Sequence, residues 1–80
     1  MTQTKLSEIH VGESAVVTGF ESGGGGGYRS KLLSMGLTPG VEVKLAAVAP
    51  LGDPVEIEVR GFHLSLRKAE ADVLRLRRTG

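Results

Sequence analysis

The stretch VEIEVRGFHLSLRK, residues 55–68, limits the possible folds of this chain more than any other. Val55, Ile57 and Val59 alternate with Glu56, Glu58 and Arg60. Beyond Gly61, Phe62, Leu64 and Leu66 alternate with His63, Ser65 and Arg67. A period of two belongs to a strand with one face buried and one face wet. Arg60-Gly61 fits a two-residue hairpin turn, which pairs 59 with 62, 57 with 64 and 55 with 66 on one face. That apolar face has to be covered. In 80 residues the economical solution is a sheet closed on itself as a barrel.

Other segments supply the remaining staves. VGESAVVTGF (11–20) reads as a first strand, with Gly12 just inside its start, and VEVKLAAV (41–48) as a half-buried one. KAEADV is a short helical turn, and VLRLRR closes with another strand. YRSKLLSMG places Tyr28, Leu32 and Met35 at helical spacing. Gly36 sits where a left-handed cap belongs, Leu37 supplies its apolar contact, and Pro39 stops continuation. The expected fold is mostly β: one domain over residues 1–80, a small barrel or sandwich of about five short strands with one inserted short helix, of which a closed barrel best fits one hydrophobic face per strand. Val43, Leu45, Val55, Ile57, Val59, Phe62, Leu64, Leu66, Leu74 and Leu76 are expected to face inward.

Composition removes whole classes of function. Without cysteine there is no disulfide, thiolate nucleophile or thiolate metal site, and a small domain without staples suits a reducing cytoplasm. The longest apolar run, VKLAAVAPL, is interrupted by Lys44 and Pro50 and is too short to span a membrane. The first ten residues lack a signal-peptide layout. A net charge of +1 does not suggest a nucleic-acid binder. The charge is nonetheless uneven: residues 61–80 carry five bases against two acids (+3), residues 1–60 five against seven (−2).

Five glycines, Gly23–Gly27, precede the helix. Such loops cradle phosphates at helix N-termini, but Tyr28-Arg29 follow where a phosphate loop needs Lys and Ser or Thr. Five glycines also lose much backbone entropy on ordering. The run therefore reads as a mobile connector without nucleotide affinity. No hydroxyl lies in a nucleophile setting, so no catalytic residue and no cofactor are expected. Glu58 falls opposite His63 on the outward face. That pair is the one weak metal candidate, and it reads first as an ordinary cross-strand ion pair.

Two surfaces remain as candidates for a protein partner. In APLGDP (49–54), two prolines fix the loop ends, Gly52 permits positive φ, Asp53 can bond locally, and Leu51 is offered as an apolar contact, although these residues alone suit a plain tight turn equally well. On the helix, Arg29 and Lys31 offer orienting charge. Changing either surface is expected to leave folding untouched.

Taken in order, Met35-Gly36-Leu37, Pro39-Gly40, the turn Pro50-Leu51-Gly52-Asp53-Pro54, Ser65-Leu66-Arg67, Glu70-Ala71, Leu74 and Leu76 resemble the FeoA family over about residues 6–76. The resemblance implies an SH3-like barrel with a helix after its first strand. It also implies a small cytoplasmic accessory protein of bacterial ferrous iron uptake, recruited to the inner face of the membrane. Its partner there would be FeoB, a membrane permease with a GTP-binding domain, which it would bind and modulate. The five-glycine run is longer than the family's usual connector, and no cysteine or histidine cluster supports a tight iron site. The same domain ends DtxR-type metal-dependent repressors, but the sequence contains no winged-helix segment, so the stand-alone reading is the expectation. A free-standing SH3-like interaction module is the alternative. A small RNA-associated barrel would need aromatics interleaved with a basic patch, which three aromatics do not provide. The oligomeric state stays open, a homo-oligomer included.

Overall fold

The computed structural model describes residues 4–21 and 26–79. Five strands, β1 (Ser14–Phe20), β2 (Glu42–Val48), β3 (Val55–Val59), β4 (Phe62–Leu66) and β5 (Leu74–Arg78), form one antiparallel sheet in the order β4-β3-β2-β1-β5. A nine-residue helix, α1 (Gly26–Ser34), lies between β1 and β2, and a four-residue helix, α2 (Lys68–Ala71), joins β4 to β5. Leu66 of edge strand β4 and Leu74 and Leu76 of the opposite edge strand β5 belong to the same buried cluster. The sheet therefore curls around a single core. Register shifts between Val17 and Gly19 and between Leu45 and Ala47 supply the local twist that such curling needs.

The hairpin has the register its alternation predicts: Val59 pairs with Phe62, Ile57 with Leu64 and Val55 with Leu66. Arg60 (φ 52) and Gly61 (φ 84) are both left-handed, as a type I′ turn requires. One inward residue is a correction. Phe62 is 73% exposed and Leu64 is half-buried, because β4 is an edge strand of the sheet, whereas Val59, the partner of Phe62 on β3, is buried. The other eight expected inward residues are buried.

The sequence reading missed part of the core. Leu6 and Ile9, around a 3₁₀ turn at Leu6–Glu8, are buried, as are Val17, Val41 and Val73. The first strand starts later than expected. Gly12 (φ 95) sits in the turn before it and donates its N–H to the Leu45 carbonyl at 2.8 Å.

Helix α1 ends as its sequence predicts. Leu37 N–H reaches the Leu32 carbonyl at 3.0 Å and Gly36 N–H the Leu33 carbonyl at 3.0 Å, with Gly36 at φ 92. These are the paired bonds of a Schellman motif, and Leu32 and Leu37 are both buried beside it. Its start differs from the prediction. Gly26 and Gly27 are the first helical residues rather than the end of a loop. The rest of the connector, predicted to be mobile, lies outside the described residues. Only Leu32 of the predicted apolar face is fully buried. Met35 is partly so, and Tyr28 is exposed.

Candidate functional site

The β2–β3 connection is built to hold one side chain out. Gly52 N–H bonds to the Ala49 carbonyl at 2.8 Å, closing a β-turn with Pro50 and Leu51 at its centre. Proline at the second position and glycine at the fourth suit such a turn, and Gly52 has φ 85. Ala49 N–H donates to the Pro54 carbonyl at 3.1 Å, which ties off the base. The Asp53–Pro54 peptide is cis. Asp53 Oδ1 accepts the backbone N–H of Lys68 at 3.0 Å, pinning the turn to the start of α2. Asp53 thus has a bracing role that its sequence position alone does not reveal. At the tip, Leu51 is 95% exposed.

Leu51 does not stand alone. Val48, at the end of β2, is also exposed. Gly52 and Val48 line a cavity of about 190 Å³ whose other walls include Leu6, Ile9, Leu45 and Val55. Lys68 and Asp72, which also line it, form an ion pair at 3.2 Å. An apolar side chain on a braced turn beside an apolar recess is a surface that could take part of another protein. The recess was not legible in the sequence, because its walls come from segments far apart in the chain.

The helix surface is arranged differently. Lys31 Nζ donates to Glu70 Oε2, and Glu70 is buried, 4% exposed. The other carboxylate oxygen of Glu70 accepts the Arg67 N–H at 2.9 Å, capping α2. Lys31 first, then the Arg67 N–H, hold the Glu70 carboxyl below its ordinary 4.5, against the opposing pull of burial. Lys31 is thus a tether between α1 and α2. This corrects the expectation that it can be changed without cost to folding. Arg29 stands over the Phe20 ring, with Cζ 5.9 Å from the centroid, within cation–π range. It remains exposed.

Glu58 lies opposite His63 in the β3–β4 register. The imidazole Nδ1 comes within 3.8 Å of Glu56 Oε2 instead, the neighbour two residues back along β3. Among the described residues, no three His, Cys, Asp or Glu side chains cluster as a metal site would need. Among the same residues, no helix is long and apolar enough to cross a membrane.

The FeoA domain model matches residues 4–78. A Porphyromonas gingivalis protein, a fusion of Fe(2+) transport protein A with the Fe(2+) transporter FeoB, is 37% identical over 67 residues, covering 84% of this chain and 8% of its own length. The present chain thus spans under a tenth of that relative. A FeoA-like protein from Clostridium acetobutylicum, solved by NMR, superposes with a TM-score of 0.87 at 32% identity, over 100% of this chain and 92% of that one. FeoA of Stenotrophomonas maltophilia, crystallised with zinc and described as a prokaryotic SH3 domain protein, superposes at 0.77 with 28% identity, over 91% and 88%. The curled five-stranded sheet is therefore an SH3-like one, and the chain belongs to the FeoA family, which is linked to ferrous iron transport and in one relative shares a polypeptide with FeoB.

Proposed function

We propose that this chain is an accessory protein of ferrous iron uptake that binds a FeoB-type permease at the cytoplasmic face of the membrane and modulates transport through that contact. The observation that carries the reading is the fusion: a relative joins this domain to FeoB in one polypeptide. Covalent linkage raises the effective concentration of two parts that work together. The geometry supports the same reading. An exposed apolar tip, Leu51, sits on a turn held by bonds through Gly52, Ala49 and Asp53. In this reading Leu51, Gly52 and Asp53 form the contact, and Arg29 orients the approach. Lys31 contributes by holding α1 in place.

The test is co-purification of the full chain with its cognate FeoB, alongside iron uptake in cells, for wild type, Leu51→Ala and Arg29→Glu. Circular dichroism confirms that each variant is folded. Leu51→Ala should lose most of the association and the uptake, and Arg29→Glu should reduce both. Lys31→Glu is unsuitable here, because it sets a second carboxylate against Glu70. Full association and uptake by folded Leu51→Ala would remove the turn as the interface. No association by wild type would remove FeoB as the partner.

A further inference from the structure

The two edges of the sheet are finished differently. At β5, Thr4 and Leu76 exchange both backbone bonds, each at 2.8 Å, so the outer edge is covered. Arg75, Arg77 and Arg78 add charge along the strand. At β4, no described residue pairs with the outer edge. Phe62–Leu66 contains no lysine, arginine, carboxylate, proline or register shift, which are the usual protections of an exposed edge. It also begins with Phe62, one of only two phenylalanines in the chain, which lies mostly in solvent.

We propose that β4 pairs antiparallel with β4 of a second copy, about a two-fold axis through His63. Val59 and Phe62 flank the two-residue turn as a hydrogen-bonded pair. Alternation along the ladder then points the N–H and C=O groups of His63 and Ser65 outward. An axis at His63 lets the two His63 backbones exchange bonds. It sets Phe62 of each copy against Leu64 of the other, both on the inner face and both still accessible. An axis at Leu64 would set Phe62 against Leu66 of the second copy, which is fully buried and offers no surface. It would also bring Arg60 opposite Lys68. The occupant is a second copy because the strand is self-complementary: it is apolar on one face, and in the His63 register no lysine, arginine or carboxylate stands opposite its like. A net charge of +1 does little to resist self-association. Phe62, Leu64, Met35 and Val59 also line a groove of about 370 Å³, which the second copy's Phe62 and Leu64 would border. This inference does not depend on the FeoB reading.

The test is sedimentation equilibrium of the full chain up to about 1 mM, with a parallel ¹H–¹⁵N concentration series. The mass should rise from 8.4 kDa toward twice that value. The amides of His63 and Ser65 should shift with concentration, and those of Phe62 and Leu64, already bonded to β3, should shift less. Phe62→Lys places a charge on the edge and should weaken the dimer at least about tenfold, roughly 1.4 kcal/mol, with an unchanged melting curve at dilutions where both proteins are monomeric. A mass fixed at 8.4 kDa across the whole range overturns the proposal. So does a dimer that survives Phe62→Lys, or one whose shifting amides centre on Leu51 instead.

Discussion

The β2–β3 turn and helix α1 carry the two groups of residues that the sequence offers as contact surfaces, and the fold treats them in opposite ways. The turn uses backbone bonds and the Asp53 carboxylate to hold its own shape, leaving Leu51 with nothing to do inside the protein. The helix turns its cations toward the protein: Lys31 to a buried carboxylate and Arg29 over an aromatic ring. A charge with an internal partner stabilises the fold and has less left to offer a visitor. An apolar tip without one offers all of its surface. Two positions that the sequence offers alike as contact surface, Lys31 and Leu51, thus resolve into a structural tether and an exposed tip.

Variants can break or sharpen that contrast. The largest effect is expected away from both surfaces, in the core they share. Ile57→Ala should cost about 2–5 kcal/mol, read as a fall in chemical-denaturation midpoint, because Ile57 is fully buried at the centre of the hairpin. It sets the scale for the others.

Next is the helix tether. Glu70→Gln keeps an acceptor for the Arg67 N–H but removes the charge that Lys31 meets, and should cost about 1–3 kcal/mol. The tether also predicts a pH dependence. Since Glu70 is held below its ordinary 4.5 in the folded protein, the folded state binds that proton less readily than the unfolded chain. Its contribution is full above about 4.5 and disappears as pH falls through the lowered folded value. Wild type should therefore lose stability in acid more steeply than Glu70→Gln, measured by thermal melts between neutral and acidic pH. Parallel curves would mean that the tether carries no weight.

A smaller loss is expected at the helix end. Gly36→Ala puts a side chain at φ 92, where nothing crowds it but the backbone conformation is costly, at about 1–2 kcal/mol. Smallest of all, Leu51→Asp should change stability by less than about 0.5 kcal/mol, since the side chain is almost wholly in solvent. If it destabilises like Gly36→Ala, Leu51 packs inward and the contrast fails.

What could be read in the sequence was local. Alternation on either side of Arg60-Gly61 is enough to set the β3–β4 register, since slipping by one residue would expose Ile57 and bury Glu56 and Glu58. Met35-Gly36-Leu37 similarly defines the helix end, because a left-handed glycine followed by an apolar residue has few other uses. Phe62 shows where local pattern stops. Its position in the alternation is inward, but β4 is an edge strand, and what covers an edge is not written in the hairpin's own pattern. Composition assigns Gly26 and Gly27 to the loop, whereas they form the first residues of α1. The candidate site was legible as a loop with a leucine at its tip. The recess beside it was not, nor was the Lys31–Glu70 pair, whose members lie 39 residues apart. Nothing in the chain's periodicity links residues at that distance. His63 pairs diagonally with Glu56 rather than straight across with Glu58, a choice made by side-chain rotamers and not by register.

The central claim is that the braced turn, and Leu51 at its tip, is the surface through which this FeoA-family chain meets FeoB. Its most direct test is a calorimetric titration of the full chain into full-length cognate FeoB in nanodiscs, comparing wild type with Leu51→Asp. The account predicts saturable binding by wild type and a dissociation constant at least about tenfold weaker, roughly 1.4 kcal/mol, for the folded Leu51→Asp variant. Equal affinity for the two proteins, or no binding by either, would contradict it.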